Sequence, residues 1–469
     1  MTSFPFFPET IGGGTVVRPF SLYPLIILLV LVTLPRLVHE PVPETVISLV
    51  PFVLFAIASS LLSFFRGIEP VLGVSVTERV LRAFFTLGIG CLIYLTVALL
   101  PRSFVDLRFS LRWLYAGMAG ALLWGSLQAI YVIQFNQAWY EMLGSLQRLI
   151  SIRRLIEDRI SGLTYEPHWF ADQISFLLLP WLLAAVISGY SAFRWRWRGL
   201  TLEWILLGWS VLLLPFTFSR AGVLNLIILI TLAVLVSRYR AVKNISLSNP
   251  RLTSNSRIRL RSLTRTLAES LFILILAFAP IYLVGTKNLF FSRLWDYWGR
   301  QNPNLSSYLN YLGFGPRLAY SGAAINTYEQ HVMMGVGLGN FAFYFEDMLP
   351  DRPLAEYPEV LRLITPEAGR DRLITVKNFY LRLMAETGII GLATFLTFVV
   401  AVIGCVIFLW LSTNQEERYW GLAGLFGMAS FFISAISFDS FVLPNMWVVF
   451  GMITAAAWIS RRSMKTGER

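Results

Sequence analysis

The chain has 469 residues, 56% of them hydrophobic and only 14% charged, with a mean hydropathy of +0.63. Soluble domains carry about 25% charged residues, so the composition excludes an ordinary soluble enzyme and reads as a polytopic membrane protein. A net charge of +12 would point to nucleic acid in a soluble chain; here the excess lies in short loops between apolar runs, where it reports topology and implies no nucleic-acid partner.

Backbone polar groups in lipid must be satisfied within their own segment, so the spanning elements are helices. Apolar runs lie near 20–38, 45–65, 81–100, 111–133, 173–190, 203–217, 220–237, 267–285, 379–412, 420–437 and 443–460. A span needs roughly 20 residues, so the short pair at 203–237 has to turn tightly at the membrane surface. The stretches 20–50 and 66–80 leave room for a twelfth element. The expected fold is therefore all-α and polytopic, with about 11–12 transmembrane helices. No small-residue cleavage site follows the first run, which is expected to be retained. Cys91 and Cys405 stand in separate apolar runs and give neither a disulfide framework nor a metal site.

Orientation comes from the stretch Arg238 to Arg265, which holds eight Lys/Arg and no acid. The positive-inside rule makes it cytoplasmic. Arg194, Arg196 and Arg198 agree, as does the tail with Arg461, Arg462, Lys465 and Arg469. Parity then places 134–172, the turn at 217–220 and the polar block 287–378 outside. That block carries nine Lys/Arg balanced by nine Asp/Glu and is rich in aromatics. Three regions follow: N-terminal transmembrane helices over 1–286, with external loop 134–172 and cytoplasmic basic loop 238–266; an external loop domain over 287–378 covering the active site; and C-terminal transmembrane helices over 379–469.

Five clusters could carry chemistry. In Gly162-Leu163-Thr164-Tyr165-Glu166-Pro167-His168-Trp169-Phe170, Glu166 could act as a general base over a sugar, or be an exposed loop acid. Arg220, in Thr217-Phe218-Ser219-Arg220-Ala221-Gly222, sits at a helix start, where a guanidinium opposes the helix dipole unless an anion is present. Snorkelling to the interface is its structural alternative. Arg317 follows Gly313-Phe314-Gly315-Pro316 and opens a helix expected to reach about Met333. His331 precedes Gly335-Val336-Gly337-Leu338-Gly339-Asn340, whose alternating glycines could expose amides to an anion, though a structural turn is the simpler use. Lys377 and Asn378 lead into a run where Asn378, Arg382 and Glu386 fall four apart and make one polar stripe. Such groups face a cavity or pair with one another. Gly388 and Gly391 below them permit a close helix contact.

These pieces, in this order over about 160–410, resemble the O-antigen ligase and polysaccharide polymerase superfamily of bacterial envelope enzymes. Ser219-Arg220-Ala221-Gly222 is similar to its Ser-Arg-Gly signature, and Arg317 through Phe341 to its external-loop signature. Lys377-Asn378, nine residues, then Gly388-Ile389-Ile390-Gly391 resembles the ligase pattern of His-Asn, nine residues, Gly-x-x-Gly. Gly162 to Phe170 resembles a segment of exopolysaccharide polymerases. The resemblance implies metal-independent, inverting glycosyl transfer without a cofactor, from an undecaprenyl diphosphate carrier at the outer face of the bacterial inner membrane. The implied partners are that lipid-linked glycan, membrane lipid, and chain-length regulator or export proteins. Arg220 and Arg317 would hold the diphosphate; Lys377, Asn378, Arg382, His168 and His331 would line the substrate. Trp295, Trp298, Tyr308 and Tyr311 would stack on sugars or anchor the interface. Lys377 stands where ligases place the histidine that activates the acceptor. A lysine at its ordinary pKa of about 10.4 is protonated and no base. That departure favours a polymerase with Glu166 as base over a ligase acting on a lipid or protein acceptor. A small-solute transporter would show paired interrupted helices in corresponding halves, and no internal repeat is seen.

Overall fold

The computed structural model describes residues 22–151, 153–248, 293, 296–299, 304–350, 357–365 and 373–466. Helix α1 (Leu22–Leu28) runs through a π-helical stretch (Leu29–Thr33) into α2 (Leu34–His39). Then follow α3 (Glu44–Ser63), α4 (Val76–Leu99), α5 (Phe104–Ile133) and the shorter α6 (Gln137–Ile150). Helix α7 (Pro167–Asp172) continues through a π-helical stretch (Gln173–Leu178) into α8 (Leu179–Ser188). A two-stranded ribbon, β1 (Arg196–Trp197) and β2 (Leu200–Thr201), leads to α9 (Leu202–Leu213) and α10 (Arg220–Ser248). The polar block contributes α11 (Leu305–Tyr311), α12 (Gly315–Gln330), α13 (Phe341–Tyr344) and α14 (Pro358–Ile364). The chain closes with α15 (Phe379–Trp410), α16 (Gln415–Ser434) and α17 (Pro444–Thr466).

Every apolar run of the sequence coincides with helix except 267–285, which lies outside the described residues. Among the described residues six helices are long and apolar enough to cross a membrane: 44–63, 76–99, 104–133, 167–188, 220–239 and 379–410. Two shorter apolar helices, 23–39 and 202–217, accompany them. These six are consistent with the expected all-α polytopic membrane fold. Helix α16 opens on Gln415-Glu416-Glu417-Arg418, and α17 ends on Arg461 and Arg462, yet both are buried among their neighbours.

Lipid tails are as apolar as leucine, so helices in a bilayer associate through close packing and polar links rather than through burial from water. Both devices are present. A Cβ on Gly90 of α4 would stand 2.2 Å from the Trp447 ring of α17, so only glycine lets these two helices approach as they do. Phe379 lies 5.1–5.5 Å, ring to ring, from Phe395, Phe438 and Phe441, which seats the start of α15 in an aromatic core. The buried Asn225 amide donates to Ser175 Oγ at 3.3 Å and Ser434 Oγ at 3.2 Å, tying α10 to two other helices.

Contacts between loops sort the helix ends into two sets. At one end Glu40 pairs with Arg102 and Arg462, Glu44 with Arg461, and Glu416 with Arg108. The 192–203 stretch, with its exposed arginines, joins this end where Arg112 donates to Ala192. At the other end Ile160 bonds to Phe216, Arg66 to Gly335, Arg220 to Leu312 and Lys377 to Asp439. Successive long helices run alternately between the two, so the segments containing Glu166, Arg220, Arg317 and Lys377 share one end.

Candidate active site

The shared end is built on the turn between α9 and α10. A 3-10 turn (Leu214–Thr217) gives way to Phe218 at φ +51°, and Ser219 Oγ then accepts from the Gly222 amide at 3.3 Å. Ser219 is thus the N-cap of α10, and Arg220 is its first residue. A Cβ on Gly222 would come within 2.7 Å of Ala171 Cβ, so the small residue lets α10 seat against α7. The Arg220 guanidinium donates to the Leu312 carbonyl and lies 5.6 Å over the Phe314 ring. Both partners belong to the loop that opens α12, which carries Arg317 at its third position.

Arg317 is exposed and makes no hydrogen bond or ion pair among the described residues. It lies within electrostatic reach of Arg220, Asp172, Tyr320 and Glu359, and Arg293 acts on Arg220 in turn. Three guanidinium groups therefore converge with no neutralising ion pair on Arg317. Such a cluster is stable only near an anion or water, and its planar donor forks match phosphate oxygens.

On the other side of Arg317 stands α7. Its approach is clamped by Gln128, a fully buried side chain of α5 that accepts from the Ser161 and Gly162 amides at 2.9 and 2.8 Å and donates to Gly162 O. Pro167 starts the helix, and His168 Nδ1 lies 3.0 Å from Glu166 Oε2. The hydrogen bond from His168 holds the Glu166 carboxyl below the usual carboxylate range, with Arg153 and Arg159 adding to the effect and outweighing burial. Glu166 is consequently ionised at neutral pH. Asp172, one helical turn below His168, is buried and carries no hydrogen bond or ion pair among the described residues. It lines a small cavity with Trp169, Gln173 and Asn445, and the Asn445 Oδ1 is likewise buried without a partner among the described residues. Sequence reasoning passed over Asp172. The signal was available, as an acid four residues after His168 inside an apolar helix.

The other expected substrate residues are placed differently. Lys377 is not a free cation: its ammonium lies 3.1 Å from Glu359 Oε1 and 4.8 Å from the Tyr320 ring centroid, while Tyr320 donates to the same carboxylate at 2.8 Å. Burial alone would raise the Glu359 pKa, but Lys377 and Tyr320 together hold it below its ordinary value. Asn378 is the N-cap of α15, its Oδ1 accepting from the Leu381 amide at 3.1 Å. Arg382 is buried in an ion pair with Glu386 at 2.9 Å, donates to the Asp439 carbonyl and stacks over Phe441. Arg382 and Glu386 of the polar stripe are thus buried and paired with each other and with the loop after α16. His331 caps the far end of α12, about 21 Å from Arg317 at 1.5 Å per residue. It packs edge-on to Tyr344, and burial together with Arg66 lowers its pKa.

The glycine-rich loop is structural, as its simpler reading held. The Val336 and Gly337 amides are spent on the Ala385 and Glu386 carbonyls at 3.0 and 2.8 Å, and the Leu338 amide on Ser60 Oγ. Ser59 and Ser60 of α3, with Arg66 and Arg79, hold the loop from the other side. Gly388, at φ +64° and ψ −169°, breaks α15 where this loop docks. Of the expected aromatics, Trp295 lies outside the described residues; Trp298, Tyr308 and Tyr311 gather around Tyr297, which the sequence did not single out, with ring centroids 4.8–5.8 Å apart. Among the described residues no group of His, Cys, Asp or Glu is arranged to hold a metal ion.

Residues 205–396, which include Arg220, Arg317 and Lys377, match the family model described as O-antigen ligase. No curated protein matches the chain. The family match supports the O-antigen ligase and polymerase superfamily, whose members are membrane glycosyl-transferring enzymes acting on lipid-linked glycans.

Proposed function

From an O-antigen ligase domain over 205–396, we propose that the chain polymerises glycan repeat units carried on undecaprenyl diphosphate, at the outer face of the plasma membrane, as an exopolysaccharide or O-antigen polymerase. The observation that carries this reading is Arg317, without an ion pair among the described residues, beside Arg220 and within electrostatic reach of Asp172 on the His168 helix. The arginines would bind the diphosphate and stabilise the charge that grows on it as the glycosidic bond breaks. The acceptor hydroxyl would enter from the α7 side and attack the anomeric carbon opposite the leaving group, with inversion and without a metal. The pairing of Lys377 with Glu359 supports a polymerase over a ligase, since the position of the ligase histidine then holds a neutralised cation and no base.

The direct test uses protein in liposomes with undecaprenyl diphosphate-linked repeat units. A ladder of lipid-linked polymer with release of undecaprenyl diphosphate is expected. Transfer to a separate lipid or protein acceptor without a ladder would assign a ligase instead. In the same assay Lys377→Gln should keep turnover within about tenfold of the parent, a change under about 1.4 kcal/mol. The exposed Lys377–Glu359 pair is worth only about 0–1 kcal/mol. Complete loss of turnover in a folded Lys377→Gln protein would return the lysine to the reacting atoms.

The outer-face assignment rests on the positive-inside rule applied to the end that holds Arg194, Arg196, Arg461 and Arg462. In intact cells an impermeant thiol reagent should label Asp347→Cys and spare Arg196→Cys, both exposed positions at opposite ends. The reverse pattern would put the arginine cluster on the cytoplasmic side and remove the polymerase reading.

A further inference from the structure

We propose that His168 Nε2 takes the proton from the attacking sugar hydroxyl, and that Glu166 is the positioning residue which holds the imidazole for that task. The proposal deepens the transferase reading above and rests on it. An ionised Glu166 accepts from His168 Nδ1–H at 3.0 Å, and this fixes the tautomer whose Nε2 lone pair is free. The ring is half-exposed, at 51% of its side chain, and so open to a substrate. Pro167 and the Gln128 clamp fix its backbone, and Trp169 packs edge-on to it at 5.9 Å.

The charged groups around the ring come from its own helix and from neighbouring segments. Glu166, just before the helix, and the buried Asp172, one turn along it, are the titratable groups nearest the ring on its own segment. From neighbouring segments, Arg153 and Arg159 act on Glu166 while Arg317 acts on Asp172, so each opposing cation faces a carboxylate. An acid hydrogen-bonded to a histidine that faces substrate is the arrangement by which hydrolases orient and stabilise a general base. Glu166 is less suited to the task itself, since its Oε2 is already engaged. In the step, the acceptor oxygen forms a bond to the anomeric carbon as the bond from that carbon to the phosphate oxygen breaks. The electron pair of the broken bond stays on the undecaprenyl diphosphate, and the hydroxyl proton ends on Nε2.

The test compares His168→Gly, His168→Gln and Glu166→Gln with the parent protein on undecaprenyl diphosphate-linked repeat units, with thermal unfolding measured alongside. Both His168 variants should lose about 10²–10⁴-fold in turnover, the span expected of a general base. Added imidazole should restore a large part of the loss in His168→Gly and none in His168→Gln, which has no space for it. Glu166→Gln should lower kcat with little change in donor KM, and Glu166→Asp should recover part of it. Normal turnover in a folded His168→Gln protein would overturn the proposal, as would a His168→Gly protein that binds donor but is deaf to imidazole. A parent protein that consumes no lipid-linked donor would instead remove the transferase reading on which the step depends.

Discussion

Arg317→Ala is expected to cut glycan transfer by about 10²–10³-fold, the usual cost of removing one preorganised group from a developing oxyanion, while leaving thermal unfolding unchanged. The side chain is exposed and holds nothing together among the described residues, so a structural role predicts no effect at all. Arg317→Lys should recover only a minor part, because an ammonium cannot present the bidentate fork that phosphate oxygens accept. Arg220 should behave differently. Its guanidinium is committed in part to the Leu312 carbonyl and the Phe314 ring, so Arg220→Ala should impair both donor binding and the seating of α12. A combined rise in KM and fall in kcat is the expected signature. If Arg317→Ala polymerises at the parental rate, the diphosphate is not held at this cluster.

The second large effect is on stability. Gly388 sits at φ +64°, ψ −169°, a region open essentially to glycine alone. A Cβ there would also stand 2.4 Å from the Met333 carbonyl oxygen. Gly388→Ala should therefore cost at least about 3 kcal/mol, combining a backbone strain of about 1–3 kcal/mol with a steric clash that shifts the 331–339 loop. Gly404, on the same helix with open space around its Cβ position, is the control, and Gly404→Ala should be neutral or stabilising. The measurement is thermal unfolding in detergent, and a Gly388→Ala protein that melts with the parent would mean that the break in α15 is not needed for the fold.

The helices were legible because a bilayer permits little else: each long apolar run had to be helical, and each described one is. The helix start at Arg220 and the turn use of Gly335, Gly337 and Gly339 were also readable, since local chain geometry dictates them. Pairings across long sequence distances were not. Glu359 neutralises Lys377 from another segment of the polar block, and nothing in the spacing of 18 residues announces it. Asn378, Arg382 and Glu386 were correctly read as one stripe, but whether it faced substrate or its own members depended on Asp439 and Phe441 arriving from the loop after α16. The helix expected from Arg317 to about Met333 is present as α12, with His331 at its end away from Arg317. Asp172 closes the stretch read as the external loop 134–172, and its burial depends on helices that pack around it from elsewhere in the chain.

The break at Gly388 also sets how deep the chemistry lies. As one rod, the 32 residues of α15 would be about 48 Å long, well beyond the roughly 30 Å of a bilayer's hydrocarbon layer. Below the break, 389–410 measures about 33 Å, close to that thickness. On the polymerase reading proposed above, the turns above it, with Arg382 and Glu386, would stand at the level of the phospholipid headgroups. A diphosphate on a polyprenyl tail rests at that same height with its tail still dissolved among acyl chains. The donor would slide in sideways from the leaflet, with no need to be lifted from it, while the growing polysaccharide points toward water.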